Sequence, residues 1–131
     1  MQSSKSASHI MEYTSSETID STVAPGVGYT LAKMSFGRRV ELTRRIRELA
    51  GRKEFVEAGD SPNEKMEAGL LAFEIDRVYV LWGLKEVTGL TIDGLPATPE
   101  SLAASGPEEI FREVLAAVKQ QCGLSEAERK N

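Results

Sequence analysis

The stretch SPNEKMEAGLLAFEIDRVYVLWGLKEVT, Ser61 to Thr88, decides how the rest of the chain is read. Ser61, Pro62 and Glu64 stand where a helix wants its N-cap, its first-turn proline and the glutamate that closes a capping box, so the helix start is fixed by local chemistry. Met66, Leu70, Phe73, Leu81 and Leu84 then fall on one stripe, and Leu71, Ile75, Val78 and Trp82 on a second beside it. Together they predict a wide apolar face and a central, well-buried helix running to about Thr88, roughly 40 Å long at the usual rise. Val78 to Trp82 is apolar all round and would also suit a strand, but the unbroken upstream period favours the helix.

Working back from Ser61, the segment Ser35 to Gly59 predicts another amphipathic helix, ending near Ala58. Leu42, Ile46, Leu49 and Val56 line one stripe, with Phe55 beside it. Arg38, Arg39, Arg44, Arg45, Arg47, Arg52 and Lys53 place seven of the sixteen basic residues here, in a chain whose net charge is -4. Glu41 precedes Arg45, and Glu48 precedes Arg52, by the four residues that suit helical ion pairs. Gly51 marks either a kink or a close approach of another helix. Earlier still, Thr18–Val23 and Tyr29–Met34 are rich in β-branched and aromatic residues around the turn Ala24-Pro25-Gly26-Val27-Gly28, and predict a β-hairpin.

After Gly89, Leu90 to Pro96 reads as a short extended piece around an Asp93-Gly94 turn, and Thr98-Pro99-Glu100 starts a short helix to about Ala104. Gly106-Pro107-Glu108-Glu109 opens a last main helix with its stripe at Phe111, Val114, Leu115, Val118 and Cys122. Gly123 followed by Leu124 matches a glycine C-cap, and Ser125 to Glu128 a further capping box. The fold class is therefore mainly α within α+β: an N-terminal β-hairpin followed by a small helical bundle of about three main helices. Residues 1–16, serine-rich with few large apolar side chains, read as a disordered tail or a tag-like leader, and residues 17–131 as a single mostly helical domain.

Composition narrows function mainly by exclusion. A chain of 131 residues and pI about 5.1 has room for one core and lacks the overall basicity of a dedicated nucleic-acid binder. The single Cys122 allows no internal disulfide and reads as a buried thiol on an apolar stripe; no apolar run suits a membrane span, and a cytoplasmic location is expected. His9 is the only histidine, so neither a histidine-based zinc site nor a Ser/His/Asp or Cys/His nucleophile is available. The G-x-G of Gly26 and Gly28 meets Leu31 where a dinucleotide fingerprint needs glycine, and Asp93-Gly94 lacks the alternating ligands of a calcium loop. No catalytic, cofactor-binding or metal site is expected.

The Arg-rich helix remains as the candidate partner-binding element. Clustered arginines suit phosphate; interleaved glutamates suit a plain solvated face; and a basic face on an acidic whole suits an acidic protein surface or a second copy. Nucleic acid is the less favoured partner.

Several pieces resemble a family of small proteins from the tail modules of phages and prophages, the tail assembly chaperone-like proteins. They are Met34-Ser35-Phe36-Gly37-Arg38-Arg39-Val40-Glu41-Leu42, Trp82-Gly83-Leu84, Leu90-Thr91-Ile92-Asp93-Gly94, Pro96-Ala97-Thr98, Gly106-Pro107-Glu108-Glu109 and the terminal Leu124 to Asn131. The resemblance covers about Thr18 to Asn131. It implies a non-enzymatic factor, working in the host cytoplasm, that holds a helical tail protein such as the tape measure until the tube polymerises. The alternative from the residues alone is a small nucleic-acid-binding or regulatory module using the Arg-rich helix.

Overall fold

The computed structural model describes residues 9–123. Two strands, β1 (Ser16–Asp20) and β2 (Gly28–Ala32), form the expected antiparallel hairpin, with Gly26 supplying the positive φ of 87° in its connection. Both strands lie about two residues earlier than their propensity runs suggest. The chain joins the body before β1, where the Lys33 amide donates to the Ser15 carbonyl at 2.9 Å. Met1 to Ser8 of the expected tail, like Leu124 and the capping box at Ser125, lie outside the described residues.

Helix α1 (Phe36–Glu57) starts at Ser35, whose hydroxyl accepts from the Arg38 amide at 3.2 Å. Helix α2 (Pro62–Gly83) starts on the capping box read from the sequence: the Ser61 hydroxyl accepts from the Glu64 amide at 3.1 Å, and Oε1 of Glu64 accepts from the Ser61 amide at 3.1 Å. The two helices pack as an antiparallel pair, since Arg52 faces Glu67 while Arg38 and Glu41 face Trp82 at the other end.

The predicted end of α2 needs correction. The helix stops at Gly83, and Leu84–Thr88 forms strand β3, which pairs antiparallel with β2 through Tyr29↔Val87 and Leu31↔Leu84, with a bulge at Thr30/Leu31. Leu84 suits a helical stripe and a strand equally well. The free edge of β2 decides between them, a long-range pairing that no local period reports. The sheet thus has three strands in the order β1-β2-β3.

Asp93 and Gly94 both take positive φ, 52° and 84°, and form the tight turn between β4 (Thr91–Ile92) and β5 (Leu95–Pro96). Helix α3 (Pro99–Ser105) is capped reciprocally by Thr98 and Ser101. Helix α4 (Glu108–Gln121) ends at Cys122, with Gly123 at φ 80° as the left-handed cap residue.

The core lies between the sheet and the C-terminal half of α2, closed by α3 and α4: Tyr29, Leu31, Val80, Leu102, Val114 and Val118 are its most buried side chains. Gly83 is required there, because a Cβ at that position would lie 2.6 Å from Cγ1 of Val118. The expected full burial of α2 holds only for one face. Leu71 and Trp82 are buried, but Met66, Leu70 and Phe73 are 67%, 55% and 60% exposed. Helix α1 covers the face of Leu71 and Trp82 along the pair, whereas α3 and α4 reach only the C-terminal part of α2, so the stripe that begins at Met66 runs out of cover. On α1, Leu42 is buried, Ile46, Leu49 and Val56 are half-buried, and Phe55 points away at 81% exposure.

Candidate functional site

The seven basic residues of α1 divide by what they meet. The Arg38 guanidinium stacks 4.3 Å from the Trp82 ring and donates from Nη2 to the Trp82 carbonyl at 2.9 Å, one of the last-turn carbonyls of α2 that lack an intrahelical donor. Trp82 in turn donates from Nε1 to Oε1 of Glu41 at 3.2 Å. This arginine therefore holds α1 to the end of α2. Arg39 reaches a second helix end, donating from Nη1 to the Cys122 carbonyl at a long 3.5 Å.

Three others have carboxylate partners: Arg45 with Glu41 at 3.3 Å, Arg52 with Glu67 at 3.9 Å, and Lys53 with Glu57 at 2.6 Å. The Glu41–Arg45 pair is the one read from spacing. The expected Glu48–Arg52 pair does not form, because Arg52 turns across to α2. Exposed pairs of this kind contribute about 0.5 kcal/mol each or less. Arg44 and Arg47 have no ion-pair partner among the described residues. Both lie on the outward side of α1 with Gly51 and Phe55, where a shallow depression of about 570 Å³ opens. A Cβ on Gly51 would meet nothing within 4 Å, and α1 runs unbroken through it, so no neighbouring helix approaches there.

On the other flank of α1 lies a groove of about 490 Å³, floored by Leu42, Ile46, Tyr79 and Cys122 and edged by Arg39 and Arg47. Burial pushes the Cys122 thiol up, and nearby Arg39, Arg38 and Lys119 only partly offset it, so the thiol stays protonated and behaves as an apolar side chain.

The densest polar cluster is one the sequence does not announce. Oε1 of Glu113 accepts from the Ser21 hydroxyl at 2.6 Å and the Tyr29 hydroxyl at 2.7 Å, and Oε2 accepts from the Thr22 amide at 2.7 Å and the Thr22 hydroxyl at 2.8 Å. Burial opposes ionisation of this carboxyl, but the donors from Ser21, Tyr29 and Thr22 prevail and hold it down at about 2. For Tyr29 burial dominates; Ser21 pulls the other way, the Glu113 carboxylate adds to burial, and the phenol is pushed up to about 12. Neither group exchanges a proton near neutrality, and the acceptors of Glu113 are engaged within the fold. The cluster ties α4 to the β1–β2 connection. Its only trace in the sequence is Ser21-Thr22 in a turn; Glu113 looks like any exposed helical glutamate.

His9 is exposed, and no group of three or more His, Cys, Asp or Glu side chains among the described residues could hold a metal ion. No helix among them is long and apolar enough to cross a membrane. The candidate surface is thus the outside of the α1–α2 pair, with unpaired arginines beside uncovered apolar side chains. No family model matches the chain, and no curated protein or solved structure matches it either.

Proposed function

We propose that this protein is a non-enzymatic binding module that takes up a helical segment of another protein on its α1–α2 pair. The supporting observation is the coincidence, on one helix pair, of unspent charge and uncovered apolar surface: Arg44 and Arg47 have no ion-pair partner among the described residues, while Phe55, Met66, Leu70 and Phe73 stand in solvent. Apolar anchors supply most of the affinity in protein recognition, and charge sets orientation and on-rate. A polyanion is served less well. Arg38 is spent on Trp82, and Arg45, Arg52 and Lys53 on carboxylates, which leaves few cations to displace counterions from a phosphate backbone.

The resemblance to tail assembly chaperone-like proteins supplies the finer form of this reading: a cytoplasmic holder of a long helical tail protein such as the tape measure. Co-expression with a phage tape-measure protein tests both. The expected result is a soluble complex that co-elutes on gel filtration and is weakened by Arg44→Glu with Arg47→Glu, with the circular dichroism of the variant unchanged. Binding of generic duplex DNA with a steep salt slope that the same substitutions abolish would overturn it in favour of a nucleic-acid module.

A further inference from the structure

We infer that the partner helix seats in the groove on the flank of α1 that faces the end of α4, with its apolar side chains on Leu42, Ile46 and Tyr79 and its carboxylates over Arg39 and Arg47. This rests on the binding-module reading and specifies its site and ligand chemistry. Three features select the occupant. The first is the floor: Leu42, Ile46, Tyr79 and Cys122 give this open cleft of about 490 Å³ an apolar base. The second is length. The groove follows α1 from Arg39 to Glu54, about 22 Å at 1.5 Å per residue, which matches some four turns of a docked helix and exceeds a compact small molecule.

The third is charge. Arg39, Thr43 and Arg47 succeed one another at four-residue intervals along the groove's outer rim, and neither arginine meets a carboxylate among the described residues. A basic rim over an apolar floor complements a helix with acidic flanks beside a leucine-type stripe, and repels one with basic flanks. Glu54 closes the far end of the rim and sets a preference for the partner's acidic residues at the Arg39 end.

The probe is a fluorescein-labelled designed helix of about five turns, with leucines along one face and glutamates on both flanks; its counterpart carries lysines in place of the glutamates. Fluorescence anisotropy with the full chain should show saturable binding of the acidic helix and at least about tenfold weaker binding of the basic one. Thr43→Glu, at an exposed rim position, should weaken the acidic helix and strengthen the basic one. Ala50→Trp, which fills the groove, should weaken both. Leu95→Ala, an exposed apolar side chain on β5 away from the α1–α2 pair, should leave both unchanged. Thermal unfolding of each variant checks that the fold is retained.

Binding abolished by Phe73→Ala but untouched by Thr43→Glu would place the ligand on α2 and overturn the groove while leaving the binding-module reading intact. Equal affinity for the two helices, or none for either, would overturn the inference as well; the module reading is then decided separately by the co-expressed partner.

Discussion

Glu113→Gln is the substitution that most directly interrogates how this fold is held. It keeps the size of the side chain and one acceptor oxygen, removes the charge, and turns an amide N–H₂ toward donors that need an acceptor, including the Tyr29 hydroxyl in the core. The native carboxyl titrates at about 2 against an ordinary 4.5, and at about 1.4 kcal/mol per unit that displacement is worth about 3 kcal/mol. Solvent reaches part of the side chain and screens it, so the expected loss is about 2 kcal/mol. The sign follows from the direction of the shift. A carboxyl depressed by folding contributes fully above its unfolded value, and the contribution drains away as the pH falls from about 4.5 toward 2. Urea unfolding of the wild type and the variant at pH 7, 4 and 2.5 measures it. With a slope of about 1–3 kcal/mol per molar, the midpoints should differ by about 1 M at pH 7 and by only about a quarter of that at pH 2.5. Coincident midpoints at pH 7, or a gap that stays constant down to pH 2.5, would refute the reasoning.

Three further outcomes are expected. Gly83→Ala should destabilise by about 1–3 kcal/mol despite the better helix propensity of alanine, because the new methyl meets Val118; in the Val118→Ala background the same change should become neutral or favourable, and an additive double mutant would contradict the contact. Trp82→Ala should cost about 3–5 kcal/mol, since it empties a core position and strips Arg38 and Glu41 of their partner; wild-type tryptophan emission at the wavelength of a fully hydrated indole would contradict that burial. Ser61→Ala should cost about 1 kcal/mol through the lost N-cap, seen as a lower thermal midpoint, and an unchanged midpoint would mean the capping box does not hold the helix start.

What the sequence makes legible here is what local chemistry decides. Ser61 with Glu64, Ser35, Thr98, and the Asp93-Gly94 turn act within a few residues of themselves, and each sits where its own neighbours put it. Leu84 to Thr88 shows the limit, because its apolar spacing satisfies both periods and the choice belongs to β2, more than fifty residues upstream. The uncovered stripe of Met66, Leu70 and Phe73 is a second case: amphipathicity reports that a face is apolar, and only the length of α3 and α4 reports whether anything lies on it. The candidate surface was legible as a cluster of charge on α1. Which arginines lack a partner among the described residues was not, since that depends on Trp82 and Glu67 of α2 and on Cys122 at the end of α4.

The order of events during synthesis follows from the same cluster at Glu113. Its bond to the Thr22 amide closes a span of 91 residues, so it cannot form until α4 has left the ribosome, long after the α1–α2 pair, whose contacts are local, has had time to assemble. For that interval the nascent chain presents the uncovered side chains of α2 together with those of β2 and α2 that α4 later covers. The tie made last acts as a bolt rather than a nucleus: it sets how fast the finished protein comes apart, not how fast it forms.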